Sequence, residues 1–233
     1  MIIMVQGIEI EVLKKQIKNL HLSVLPPNGA VRISVPATVS DESIRLFAVS
    51  KISWIKEQQN KFKTQLRHNE REYVSGETLF IWGKQHYLKV EYSNKGNGFE
   101  IQGETAVLTV RKESSARQRE NYVHEVLRGY LKTEITRLLP IWEAKTGLNC
   151  KRWQTKYMKT HWGSYSKKTG SISFNLQLAK KPVDCLEYII VHELGHIQHR
   201  NHGKGFIEYM DKYLAYWRET KDKLNGLTLD FIE

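Results

Sequence analysis

From its N-terminus the chain alternates apolar and polar residues with a period of two. "IEIEV" from Ile8, "LHLSVL" from Leu20 and "VRISV" from Val31 point side chains to opposite faces in turn, as half-buried strands do. "PPNG" between the last two predicts a hairpin turn. The period then lengthens. Ser40 is a candidate N-cap, Asp41 and Glu42 sit in a first turn, and Ile44, Phe47, Ala48, Ile52 and Ile55 recur at helical spacing. One long helix is predicted, to about Leu66. Alternation returns in "YVSGETLFIW", "QHYLKVEY", "GFEIQ" and "AVLTVR", with Ser-Gly, Trp-Gly and "NKGNG" as turns. From about Ser115 to Thr146 the pattern is helical again, interrupted at Pro140 and closed by Gly147. A strand-rich stretch runs from Lys151 to Leu178. Pro182 opens a further helix, and a last one covers roughly Lys204 to Lys223.

No internal repeat and no low-complexity linker is visible in this pattern. The best boundary lies at Arg111 to Ala116, where strands give way to charged helix. It divides the chain into a β-rich region, 1–113, with its helix at about 41–66, and a second region, 114–233. The fold class is α+β.

Composition narrows the setting. The chain has 233 residues, 40% of them hydrophobic and 10% aromatic, enough to bury a sizeable core. A formal charge of +11 suits an acidic partner, nucleic acid being the usual one, and suits a lysine-rich surface equally well. No apolar run approaches a membrane span. The start "MIIMVQGIEIEV" meets Glu9 and Glu11 without a small-residue cleavage site, so it does not read as a signal peptide. Cys150 and Cys185 form neither a C-x-x-C pair nor a disulfide framework, which points to a reduced, cytoplasmic protein.

Candidate chemistry concentrates in "IIVHELGHIQHRNHGKGF", Ile189 to Phe206. His192, Glu193 and His196 spell H-E-x-x-H. On a helix, residues four apart stack on one face, so two imidazoles can grip one ion. Glu193 reaches water at the ion rather than the ion itself, the arrangement that metal-assisted hydrolysis requires. Leu186, Ile189, Ile190, Leu194 and Ile197 make one face of this helix apolar, so the element is buried and rigid. A catalytic zinc needs a third protein ligand. His202 follows His196 by six residues, and Asn201 and Gly203 tolerate the left-handed conformations a reversal there would use. His199 is the rival, awkwardly placed for a tetrahedron. Glu208 could in principle be a carboxylate ligand, without a pattern to support it. His124-Glu125 is a decoy that lacks a second histidine and reads as a solvated helix face.

The run from "THWGSYSKKTGSISFNLQL" to "NHGKGF" resembles the YgjP-like zinc metallopeptidases, relatives of the WLM and SprT-like proteases. The matching residues are Trp162-Gly163-Ser164, Asn175, Tyr188 to Leu194, His196 and Asn201-His202. The N-terminal half is similar too, through "VRISVPATVSDESIRLFAVSKISWI" and "YVSGETLFIWGKQHYLKV". The resemblance implies a zincin-like C-terminal domain with the H-E-x-x-H helix beneath a substrate cleft. It implies His192, His196 and His202 as zinc ligands, Glu193 as general base, and hydrolysis of peptide bonds in a protein or peptide substrate. Two positions depart from the family: Tyr165 stands for a cysteine and His161 for an arginine. Candidates for stabilising the oxyanion or contacting substrate are His161, Tyr165 and Tyr209. Trp162, Trp217 and Phe206 read most simply as core aromatics.

Two function classes follow. One is a zinc peptidase, in a nucleic-acid or restriction–modification setting as family members often are. The other is a zinc-containing module on the same fold that binds nucleic acid or protein without turnover. Intact Glu193 favours the peptidase, since a structural site has no use for a base. The basic clusters "RHNERE", "RKESSARQR" and "KYMKTHWGSYSKK" could track phosphates, or be solvated faces.

Overall fold

The structure, a computed structural model, describes residues 1–25, 29–64, 71–158 and 160–226. Residues 26–28 of the "PPNG" turn, Leu66 and most of "RHNERE" lie outside the described residues. The chain falls into two compact units that part between residues 68 and 69.

In the first unit, strands β1 (Ile2–Val5), β2 (Ile8–Lys15), β3 (His21–Leu25) and β4 (Ala30–Pro36) form a sheet ordered β1-β2-β4-β3. The outer pairs are antiparallel, and β2 runs parallel to β4. Alternation puts Ile10, Val12, Ile33 and Val35 on one face, where they are buried with Ile44, Ala48 and Ile55. Those last three come from α1 (Asp41–Ser50) and α2 (Ile52–Thr64). Ser40 caps α1 as expected, its Oγ accepting the Ser43 N–H at 3.3 Å. The single long helix predicted here is instead two. Ser50 Oγ donates to the Phe47 carbonyl at 2.8 Å, and the Lys51 N–H bonds Ala48 O, three residues back, at 3.1 Å. A side chain competing for a helix carbonyl and a tightened last turn end α1.

In the second unit, β5 (Thr78–Ile81), β6 (Lys84–Tyr92), β7 (Gly98–Gln102) and β8 (Thr105–Val110) are ordered β5-β6-β8-β7. Pairing directions repeat those of the first sheet: antiparallel outside, parallel between β6 and β8. The chain thus carries a duplicated strand topology that its sequence does not reveal. Even the first hairpin turns agree. Gln6 and Gly7 have φ of 48° and 79°, and Trp82 and Gly83 have 50° and 78°, the two positive values of a type I′ turn.

The second sheet shares its core with α3 (Ala116–Thr146), burying Leu79, Leu88 and Leu108 together with Val123, Leu127 and Leu131. The expected boundary at 113/114 therefore falls inside this unit. Helix α3 opens on a capping box between Ser115 and Gln118 and ends at Gly147, φ 71°. It runs through Pro140 rather than breaking there. Pro140 and Thr136, whose carbonyl loses its partner, both face solvent, while Leu138, Leu139 and Trp142 anchor the helix in the core. The rest of the unit is a small sheet, a 3-10 turn at Leu176–Lys180 and three helices. The sheet holds β9 (Arg152–Lys156), β10 (Gly163–Ser166) and β11 (Ser171–Asn175) in the order β10-β11-β9, leaving β10 at an edge. The helices are α4 (Val183–Gly195), α5 (Lys204–Tyr213) and α6 (Trp217–Gly226). The last helix expected from Lys204 to Lys223 is thus also two, since Leu214 leaves helical geometry at φ −141°, ψ 82°. No helix among the described residues is long and apolar enough to cross a membrane.

Candidate metal centre

Helix α4 is packed in the core along Leu186, Ile190 and Leu194, which fixes its azimuth and turns the flank carrying His192 and His196 outward. Their Nε2 atoms are 3.2 Å apart. His202 Nε2 lies 3.1 Å from that of His192 and 3.2 Å from that of His196. Nitrogens bound to one tetrahedral zinc would stand about 3.3 Å apart at ordinary Zn–N lengths of about 2.05 Å. Three converging nitrogens at this spacing fit such an ion.

The reversal that brings His202 in begins where α4 stops. His196 is its C-cap, and the His199 N–H returns to the Gly195 carbonyl at 2.9 Å. The left-handed residues expected at Asn201 and Gly203 are not used. Neither has positive φ; Gly203 is extended (φ −75°, ψ −172°) and caps α5. His199 stays outside the cluster, its ring against Gly205 and 6.0 Å from that of Tyr209. Its carbonyl instead accepts a hydrogen bond from His196 Nδ1 at 2.9 Å, which leaves Nε2 of His196 with its lone pair free.

Phe206, four residues past His202, lies under all three rings. Its centroid is 5.0, 5.0 and 4.8 Å from those of His192, His196 and His202, and it is stacked on His196. Composition and spacing mark it only as a core aromatic, yet it is the floor of the cluster. Gly195 makes that floor possible: a Cβ there would come within 2.7 Å of the Tyr209 ring and 3.0 Å of Phe206. Burial, then repulsion from His196, His202 and Lys221, holds His192 down to about 3. His202 is lowered as well, by burial first. Both shifts favour the neutral imidazole, the form that can bind a metal.

Glu193 is only 4% exposed. Its carboxylate accepts the backbone N–H of Tyr165, on edge strand β10, while Oε2 has no partner in the protein. Burial pushes it up to about 7, partly offset by that hydrogen bond. Gly163 lets the strand come this close. A Cβ at 163 would sit 2.6 Å from Glu193 Oε1 and 2.8 Å from its Cγ.

The loop before β10 is held from inside by Asn175, which is fully buried. Its Nδ2 donates to the carbonyls of Met158 (2.8 Å) and His161 (2.7 Å), and its Oδ1 accepts from the Met158 and Gln177 amides. His161 is thereby fixed through its backbone, and its side chain is exposed. Tyr165 meets the site through its amide, with its ring packed on the core. Tyr209 is turned away: its buried hydroxyl donates to the Val191 carbonyl at 3.2 Å, and burial raises its pKa. Glu208 is exposed beside Lys204. His124 is no solvated face; it is half-buried against the Tyr157 ring at 5.6 Å. A cavity of about 670 Å³ at the start of α3, lined by Arg111, Ser114, Tyr122 and Glu125 among others, includes none of these site residues.

The model of the YgjP-like metallopeptidase domain matches residues 18–227. Among solved structures, the metallopeptidase zymogen of Methanocaldococcus jannaschii jannalysin is 26% identical over 40% of this chain and 94% of its own, with a TM-score of 0.36. The metallopeptidase zymogen of Pyrococcus abyssi abylysin is 19% identical over 42% of this chain and 99% of its own, with a TM-score of 0.38. No curated protein matches the chain.

Proposed function

The chain belongs to the YgjP-like metallopeptidase family, and from that premise we propose that it is a zinc-dependent peptidase. His192, His196 and His202 hold the ion and Glu193 is the general base. Three imidazoles are a donor set that suits zinc and leaves a coordination position open. When bound, the ion supplies Lewis acidity, polarising a scissile carbonyl and making water a better acid.

The chain's own residues do the rest. Phe206 packs beneath the imidazole rings and excludes water from below. The Tyr165 amide holds one side of the Glu193 carboxylate, so that Oε2 takes the proton of the attacking water and later delivers it to the leaving amine. The observation that carries this reading is Oε2 itself. A buried carboxylate oxygen without a partner costs about 1–3 kcal/mol or more. It stands on α4 between His192 and His196, two of the three convergent imidazoles, where a proton-bearing oxygen would satisfy it.

The test is Glu193→Gln, which keeps shape and hydrogen-bonding reach but cannot accept a proton at neutral pH. Wild-type protein should hold close to one zinc per chain and cleave peptide substrates. The variant should keep its zinc and lose at least about a hundredfold in turnover. A wild type that binds no zinc, or a variant with full activity, would overturn the proposal.

A further inference from the structure

Tyr188 stands one helical turn before His192 on α4, and only 4% of it is exposed. Its hydroxyl is 3.4 Å from His192 Nδ1, and the two rings meet edge to face with centroids 5.6 Å apart. Among the described residues no other polar atom bonds that nitrogen. His196 shows the same arrangement with a different acceptor, its Nδ1 being paired with the His199 carbonyl. Both helix-borne imidazoles therefore have an oxygen at Nδ1 while their Nε2 atoms converge.

A neutral imidazole has one N–H, and the bond made by one nitrogen decides which carries it. With the proton on Nε2, His192 would point hydrogen at two nitrogens 3.1–3.2 Å away and would have no lone pair on the nitrogen that faces the cluster. We propose that Tyr188 is a positioning residue whose hydroxyl oxygen accepts the Nδ1–H of His192 and so commits Nε2 to the ion. The inference rests on the proposed metal site. At 3.4 Å the contact is long, so it acts through orientation more than bond strength.

The experiment is Tyr188→Phe, which keeps the ring and removes the hydroxyl. Zinc affinity, measured by competition with a chromogenic chelator, should fall about 10- to 100-fold, the usual effect of removing a partner behind a metal-bound histidine. Circular dichroism and the melting of the metal-free protein should stay near wild type. Long-range proton–nitrogen NMR of the metal-free wild type should show His192 as the Nδ1–H form, and the variant should show both tautomers. Affinity within twofold of wild type would overturn the proposal. So would a wild type whose His192 is chiefly Nε2–H, since Tyr188 would then be donating. If the variant fails to fold, the wild-type spectrum decides alone. Zinc binding by the wild type tests the metal reading separately, and the metal-free spectra still judge Tyr188.

Discussion

Replacing Gly163 by alanine should disable the site while leaving its metal binding in place. The added Cβ would lie 2.6 Å from Glu193 Oε1, 2.8 Å from Glu193 Cγ and 2.8 Å from Ile189 Cγ2. Relief to ordinary contact at about 3.4 Å requires a shift of roughly 0.6–0.8 Å. Glu193 and Ile189 are both packed on α4, so the yielding element is β10 or the carboxylate itself. Either movement breaks the bond from the Tyr165 amide and swings Oε2 off its line. A misplacement near 1 Å costs about a hundredfold in rate. Overpacking of this kind costs about 1–3 kcal/mol in stability. The nearest atoms to that Cβ belong to Glu193 and Ile189 and to none of the three imidazoles, so zinc content should stay near one per chain. Steady-state kinetics on a peptide substrate, metal analysis and a thermal melt read the three effects. A Gly163→Ala protein with wild-type kcat/KM would refute the reasoning, because the base would then not depend on where the strand lies.

The remaining predictions concern ligands, loop and pH. His202→Ala should lose zinc affinity by orders of magnitude and His199→Ala far less, since only the backbone carbonyl of His199 meets His196; the opposite ranking in a chelator competition would sink the assignment. Asn175→Ala should destabilise the protein by about 2–4 kcal/mol by depriving two carbonyls and two amides of their buried partner, read as a shift in denaturant midpoint; a change under about 0.5 kcal/mol would show Met158 and His161 to be held otherwise. In metal-free protein Glu193 opposes the two lowered histidines, His192 and His202. His192, lowered to about 3, makes the native state bind fewer protons than the unfolded chain, so its contribution falls as pH drops below about 6.5. Glu193, raised to about 7, makes it bind more, so its contribution rises as pH drops through 7 toward 4.5. Wild-type stability should therefore fall less steeply between about pH 6.5 and 4.5 than that of Glu193→Gln, in which His192 alone contributes a downward slope of about 1.4 kcal/mol per pH unit. Parallel urea-midpoint profiles would contradict the two assignments.

What the sequence disclosed was whatever a single element decides. The i, i+4 spacing of His192 and His196 depends only on helical pitch, and the six-residue step to His202 on a short reversal. What it hid depends on partners distant along the chain. Tyr209 looked available for an oxyanion because nothing local shows its hydroxyl donating to Val191. Tyr165 reads in the sequence as a side chain, whereas it is its amide that meets Glu193. Phe206 is a floor only because α5 folds under α4. The breaks at Lys51 and Leu214 turn on local backbone geometry that apolar periodicity averages over. The duplicated sheet escaped notice because strands keep only alternation and a turn, and neither records which strand pairs with which.

That duplication places one backbone turn under two different histories of constraint. In the first sheet, nothing lies within 4 Å of a Cβ added at Gly7, so only the positive φ restricts the position. Asparagine, which tolerates that conformation, could replace it in some lineages. In the second sheet the same turn is a joint: the Trp82 and Gly83 amides donate to the Ala179 and Lys180 carbonyls, and a Cβ at 83 would come within 2.6 Å of Pro182. Asparagine does not relieve that overlap. Aligned homologues should therefore show drift at position 7 and near-fixity at position 83. Any departure at 83 should be matched by a change at 182, just ahead of the helix that carries the histidines.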